Sequence, residues 1–279
     1  MRYIIIGDSC MDMPEELKRD SHFQTIPLTL QVDEQHFVDD ENFDQAAFIK
    51  AVAASPNCPK SACPSPGAFL EAYEKADAEM IFVVTLSQHL SGTYNSAVMA
   101  KNMFEQKEDR KKIAVIGSDS ASCGETLIAL EIQRLAEQGL DFEEIEQGAR
   151  SFLKEMKTYF VLESLEALRK NGRLTGLQAF FASALNIKPV MGADSGTIIK
   201  LNQARGIKKA LDKMIEIFVS EVKNSHEKVV GIAHCNCPER AEYVKMMLEK
   251  KMDFRKVCIM DTAGVSTLYA SDGGIIVCC

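Results

Sequence analysis

The chain has no surplus of basic residues, no apolar run as long as a membrane span and no charged-then-apolar leader. Each absence excludes a class. With 32 Lys and Arg against 40 Asp and Glu the formal charge is -8, whereas neutralising nucleic-acid phosphates needs a cationic surface. Without a leader or a spanning segment, a cytoplasmic location is expected. Neither Gly-x-x-x-x-Gly-Lys-Ser/Thr nor Gly-x-Gly-x-x-Gly occurs, which argues against a nucleotide enzyme of the standard kinds. Low-complexity linkers, repeats and long charge runs are missing as well. The nine cysteines are odd in number and irregularly spaced, unlike a disulfide framework, and read as reduced, buried small hydrophobes. In "AHCNCPER", His234, Cys235 and Cys237 lack a second cluster to close a zinc tetrahedron. They read instead as a strand end and its exit loop, with Pro238 opening the next helix.

What is present is a globular α/β pattern. At 279 residues and 46% hydrophobic content the chain can build one large domain or two ordinary ones. "YIIIG", "EMIFVVTL", "KKIAVIGS", "KVVGIAH" and "KVCIM" are apolar at nearly every position, as buried parallel strands are. Helical stretches alternate with them: 44–54, 66–76, 93–105, 123–138, 142–157, 206–222 and 238–250. After Asp141, Phe142, Ile145, Ala149, Phe152 and Met156 recur every three or four residues and mark one inward face. "TIPLTLQVDEQHFVD" reads as a hairpin turning at Asp33-Glu34. The expected architecture is two α/β domains. Residues 1–158 form a mostly parallel sheet with helices on both faces, and 159–279 a smaller α/β domain.

In "YIIIGDSCMDM" an apolar run leads into Gly7-Asp8-Ser9, the way one large group of hydrolases presents its nucleophile. Such a serine needs a histidine base near the C-terminus. The five histidines are His22, His36, His89, His226 and His234, so none lies in the last 45 residues, and no acid shortly precedes His234. The Gly-x-Ser-x-Gly elbow is missing too. A serine hydrolase using Ser9 is carried as the alternative function.

Three loops rich in Ser, Thr and Gly stand directly before helices. In "CPKSACPSPGAF", Ser65 can cap and Pro66 suits the first helical position, leaving Ser61 free upstream. In "LSQHLSGTYNSA", Ser91-Gly92-Thr93 leads from a strand into a helix, and "GSDSASCGETL" has the same layout. Helix starts offer unpaired N–H groups, and open sheets place ligands beyond the C-terminal ends of their strands. The first two loops supply neutral hydroxyls and amides with no base or metal ligand, chemistry suited to holding a carboxylate rather than transforming one.

These blocks, taken in order, resemble the DegV family, bacterial fatty-acid-binding subunits that work with a fatty acid kinase. "IGDSCMDM" resembles the family's Thr-Asp-Ser-x-x-Asp-Leu block, "SACPSPGAF" its Thr-Ser-Gln-Pro-Ser-Pro block, and "LSGTYNSA" its most characteristic motif. "LESLEALRKNGRLTG", "LNIKPVMGADSGTI" and "QARGIKKAL" resemble the later Gly-Gly-Arg, lysine-proline and arginine-bearing segments. The resemblance implies a non-catalytic carrier with no cofactor, enclosing a long-chain fatty acid between its domains. Ser61, Ser91, Gly92 and Thr93 would hold the carboxylate, which is presented to the kinase for acyl-phosphate formation. Asp8 and Ser9 would shape the pocket floor, with Arg173 and Arg205 in supporting or partner-facing positions. Peripheral membrane contact is compatible with ligand exchange. One departure bears on headgroup and kinase: where the family carries His-Thr-Gly-Pro-Gly, "MDTAGVST" puts Asp261 at the histidine's place. An anion there repels a carboxylate unless one of the two is protonated or Asp261 turns away.

Hydrogen bonds let a buried carboxylate roughly break even, so affinity must come from the chain. Burying about fourteen methylenes at about 0.8 kcal/mol each gives about 11 kcal/mol before entropy losses. The expected tunnel lining is the apolar stretch "LQAFFASALNI", in particular Phe180, Phe181, Ala184 and Leu185, equally readable as a core helix.

Overall fold

The computed structural model describes residues 1–107, 110–174 and 186–279. The first half runs β1 (Tyr3–Asp8), α1 (Glu15–Lys18), β2 (Phe23–Ile26), β3 (Thr29–Val32), β4 (Gln35–Val38), α2 (Gln45–Ala54) and β5 (Lys60–Ala62). It continues through α3 (Pro66–Lys75), β6 (Met80–Thr85), α4 (Thr93–Glu105), β7 (Lys112–Gly117), α5 (Cys123–Glu137) and α6 (Phe142–Glu155). The second half runs β8 (Thr158–Val161), α7 (Glu166–Lys170), β9 (Ile187–Asp194), β10 (Thr197–Arg205), α8 (Ile207–Glu221) and β11 (Val229–His234). It ends with α9 (Pro238–Glu249), β12 (Lys256–Asp261), α10 (Gly264–Ala270) and β13 (Ile275–Cys278).

The first sheet has the order β2-β1-β6-β7 and is parallel throughout. Strands buried on both faces must be apolar at every position, and β1 and β6 are. Alternate residues feed different cores. Ile5, Phe82 and Ile116 meet Ile132 and Ile145 of α5 and α6, while Ile6, Ile81 and Val83 meet Tyr73 and Phe104 of α3 and α4. The helices stop and start where side chains dictate. Asp44, Ser65 and Asp141 each accept from the amide three residues on, and Glu144 returns the bond in a capping box.

The second sheet has the order β10-β9-β8-β13-β11-β12. It is mixed: β11 and β12, the two strands of this half read as parallel, do run parallel, and the other pairs are antiparallel. The last strand, β13, enters between β8 and β11, a long-range insertion that alternation along the chain does not announce. Helices α8 and α9 cover one face through Leu211, Met214, Phe218, Val244 and Leu248. On the other face lies α5, which packs Ile128 and Ile132 on the first sheet and Cys123 and Leu127 against Ala233, Met260 and Cys278 of the second. Packed on two sides, the helix is buried at every position from Cys123 to Ala129, and its charged residues, Glu125 apart, gather in the second half at Glu131, Arg134 and Glu137.

A third, small sheet, β4-β3-β5, is antiparallel and contains the expected hairpin, with Asp33 at a positive φ of 52° in its turn. No helix among the described residues is long and apolar enough to cross a membrane.

Candidate functional site

A cavity lies where the two larger sheets and the small sheet meet, with about 840 Å3 of atom-free space that includes open solvent. Leu28, Leu86, Phe160, Leu162, Ile198 and Ile276 give it an apolar wall, and polar side chains, Asp119 and Ser120 included, interrupt it. Ser61, Ser91, Arg173 and Tyr269 are among them.

Each polar group is placed by identifiable local chemistry. Ser61 lies on β5 opposite Leu30 of β3, so pairing rather than propensity makes its segment a strand. Ser91 precedes α4: its Oγ accepts from the Thr93 amide at 3.3 Å and lies 2.9 Å from the Thr93 hydroxyl, so it organises the helix start and still borders the cavity. Thr93 itself is fully buried. A Cβ on Gly92 would stand 3.3 Å from the Cys63 sulfur, which shows how closely the first two hydroxyl loops approach. Gly92 and Thr93, expected at the carboxylate, are not among the cavity's described lining residues. Arg173 follows α7, whose end turns back at Gly172 with φ 76° and an Arg173 N–H to Leu168 carbonyl bond of 2.8 Å. Its Nε then donates to the Leu90 carbonyl at 3.1 Å, and its side chain also donates to the Asn171 carbonyl.

The Gly-Asp-Ser turn has a structural answer. Asp8 accepts from the amides of Cys10 and Leu86, both at 2.9 Å, tying the end of β1 to the end of β6. Ser9 donates its hydroxyl to Asp39 at 2.8 Å and accepts from the Leu28 amide at 3.0 Å. Asp39 in turn accepts from the amides of Gly264 and Val265 at 2.6 and 2.9 Å, so it anchors the start of α10. A Cβ at Gly264 would come within 2.7 Å of that carboxylate, which is why glycine stands there. Ser9 therefore holds the carboxylate that holds α10, and its hydroxyl proton is committed to Asp39 rather than to an imidazole. The hydrolase alternative finds no geometric support. Ser9→Ala strands the buried Leu28 amide and removes a donor from Asp39. It is expected to cost about 2–3 kcal/mol, read as a lower midpoint in urea with no change in slope.

Behind the wall lies a set of buried acids. Burial pushes Asp8 and Asp12 up to about 7, even though Asp8 accepts two backbone amides and Asp12 accepts the Ala263 amide and the Ser122 hydroxyl. Burial likewise raises Asp39, and lifts Glu125 well above the ordinary carboxylate range with added repulsion from Asp8. Both Glu125 oxygens are buried without a hydrogen-bond partner. Donor atoms of Asp8, Cys10 and Glu125 lie within 4.8 Å of one another, a spacing a metal ion could use. A retained proton meets the same electrostatic need, because a neutral carboxyl is what burial favours.

Other positions fall elsewhere. The Asp261 side chain is 57% exposed and accepts from Gln45 Nε2 at 2.9 Å and the Thr262 amide at 3.0 Å. It is turned away from the cavity, which removes the repulsion its sequence position implied. Arg205, at the end of β10, is exposed and absent from the described lining. Phe180, Phe181, Ala184 and Leu185 lie outside the described residues. Sequence reasoning missed Tyr269, whose hydroxyl lies 3.0 Å from Ser61 Oγ and whose ring stacks under Arg173 at 5.7 Å. The only signal was a lone aromatic in the small-residue stretch "GVSTLYAS".

Comparison with known proteins yields one consistent relationship. A family model described as "Uncharacterised protein, DegV family" matches residues 2–278. A DegV domain-containing protein of Streptococcus gordonii is 33% identical over 279 residues, covering 99% of this chain and 98% of that one. Among solved structures, a DegV family protein from Ruminococcus gnavus, refined with vaccenic acid, is 46% identical with a TM-score of 0.97, over 100% of this chain and 99% of that one. The fatty acid kinase (Fak) B3 protein of Streptococcus pneumoniae, loaded with linoleic acid, is 32% identical with a TM-score of 0.89 and the same coverage.

Proposed function

This chain belongs to the DegV family, and from that premise we propose that it is a carrier that encloses a long-chain fatty acid and offers its carboxylate to a fatty acid kinase. The observation that carries the reading is a cavity with an apolar wall on which Ser61, Ser91, Tyr269 and Arg173 stand. An apolar wall suits an acyl chain, and hydroxyl and guanidinium donors replace the water its carboxylate loses. The vaccenic and linoleic acids in the Ruminococcus gnavus and Streptococcus pneumoniae relatives support it. The kinase partnership rests on the name of the Streptococcus pneumoniae protein and would place this chain in the cytoplasm. A domain boundary near residue 158 belongs to the same reading, since the second sheet begins with β8 at Thr158.

Protein purified from cells and extracted with organic solvent should release acyl chains identifiable by mass spectrometry. An empty extract, together with no binding of added fatty acid, would sink the carrier. Within this reading, Ser91→Ala is expected to weaken fatty acid binding by about 1–3 kcal/mol, because a buried carboxylate oxygen loses a donor. Unchanged affinity in a displacement titration would mean that the headgroup lies elsewhere.

A further inference from the structure

Three side chains from distant parts of the chain converge on one stretch of the cavity wall. Ser61 comes from β5, Arg173 from the turn after α7 and Tyr269 from α10. The Ser61 and Tyr269 hydroxyls are 3.0 Å apart, and the Arg173 guanidinium stands over the tyrosine ring at 5.7 Å. Between two hydroxyls only one hydrogen can lie on the line joining them, so the pair always has a second proton to give. An ionised carboxylate is an acceptor with two oxygens and can take that proton, and the other as well once the two hydroxyls turn from each other to it. The guanidinium brings the one formal positive charge of this trio, and its position over the ring face holds the phenol in place. The anchoring of α10 by Asp39 fixes the helix from which Tyr269 projects.

Resting on the carrier reading, we propose that Tyr269 binds the ligand headgroup directly, its phenol and the Ser61 hydroxyl donating together to the carboxylate while Arg173 orients the ring and supplies the countercharge. The site is then selective for the acid over neutral acyl derivatives, since a methyl ester offers one good acceptor and no charge. Tyr269 is a binding residue, whereas Asp39 and Ser9 act only through the helix that carries it.

The test is Tyr269→Phe, which keeps the ring beneath Arg173, titrated with vaccenic acid and with its methyl ester. A melting curve checks that the variant is folded. Affinity for the acid should fall roughly 5- to 20-fold while that for the ester changes less than twofold. Ser61→Ala combined with Tyr269→Phe should lose less than the product of the single losses, as two donors to one group do. Should the Phe variant melt far below the parent, Tyr269→His, which retains a ring donor, is the second variant and must keep the acid-over-ester preference. Acid affinity within twofold of the parent, or equal losses for acid and ester, overturns the role of Tyr269 and leaves the carrier standing. Failure of the parent protein to bind vaccenic acid at all removes the carrier itself.

Discussion

Replacing Ala193 by Phe is expected to lower affinity for long-chain fatty acids about 100- to 1,000-fold while the protein stays folded. Ala193 lies on β9, directly opposite Ile198 of β10, and both line the cavity. The hairpin that carries them turns at Ser195-Gly196, with φ of 48° and 78°, and its tip is pinned where the Ser87 hydroxyl donates to the Gly196 carbonyl at 3.0 Å. The wall at this point is therefore fixed, and a phenyl group projecting from it occupies space the acyl chain needs. Displacing about four or five methylenes at about 0.8 kcal/mol each removes about 3–4 kcal/mol, the stated loss in affinity. Aromatic residues suit strands, and the added ring enters a void rather than packed core, so the melting temperature should change little. Affinity measured along a series of acids should show the penalty growing with chain length. Long and short acids binding the variant as tightly as the parent would show that the chain does not run past β9.

Much of the fold is written locally. The unbroken Ile and Val runs of β1, β6 and β7 announce a parallel sheet, and Asp44, Ser65 and Asp141 announce helix starts, because each signal acts over a few residues. What escapes is set at long range. β5 is three polar or small residues that become a strand only by pairing with β3. α10 consists largely of poor helix formers and is held by a carboxylate 225 residues earlier. The site divides the same way. Ser61 and Ser91 stand out because hydroxyl-rich loops before helices form a visible pattern, and both reach the cavity wall. Tyr269 has no such pattern, and its partner Ser61 is 208 residues away. Gly7-Asp8-Ser9 misleads for a related reason: the motif is local, but the group that explains Ser9 is Asp39, which no spacing rule connects to it.

The buried acids behind the cavity predict an unusual pH dependence: stability should fall as pH rises from about 4 to 8. Asp8 and Asp12 are held at about 7 in the folded chain against an ordinary 3.8, so each binds its proton more tightly folded than unfolded. For such groups the stabilisation is fully present below the unfolded pKa and is lost as pH rises through the folded value. Raising Asp8 from 3.8 to about 7 corresponds to about 4 kcal/mol for that group alone, and its full burial leaves solvent little to screen. Glu125 extends the trend upward, raised first by burial and then by Asp8. Surface carboxylates with lowered pKa, such as Glu166 at about 2, act in the opposite sense but only in the acid range below about 4.5. They do not mask the effect at neutral pH. Glu125→Gln removes the proton the site must retain and puts an amide donor beside Asp8. At pH 8 this should raise stability by about 2 kcal/mol, or about 4–8 °C in melting temperature, with little change at pH 5. Calorimetry of both proteins at pH 5, 7 and 8 decides it: a parent whose melting temperature rises across that range, or a Gln variant with an unaltered slope, means these acids do not hold their protons.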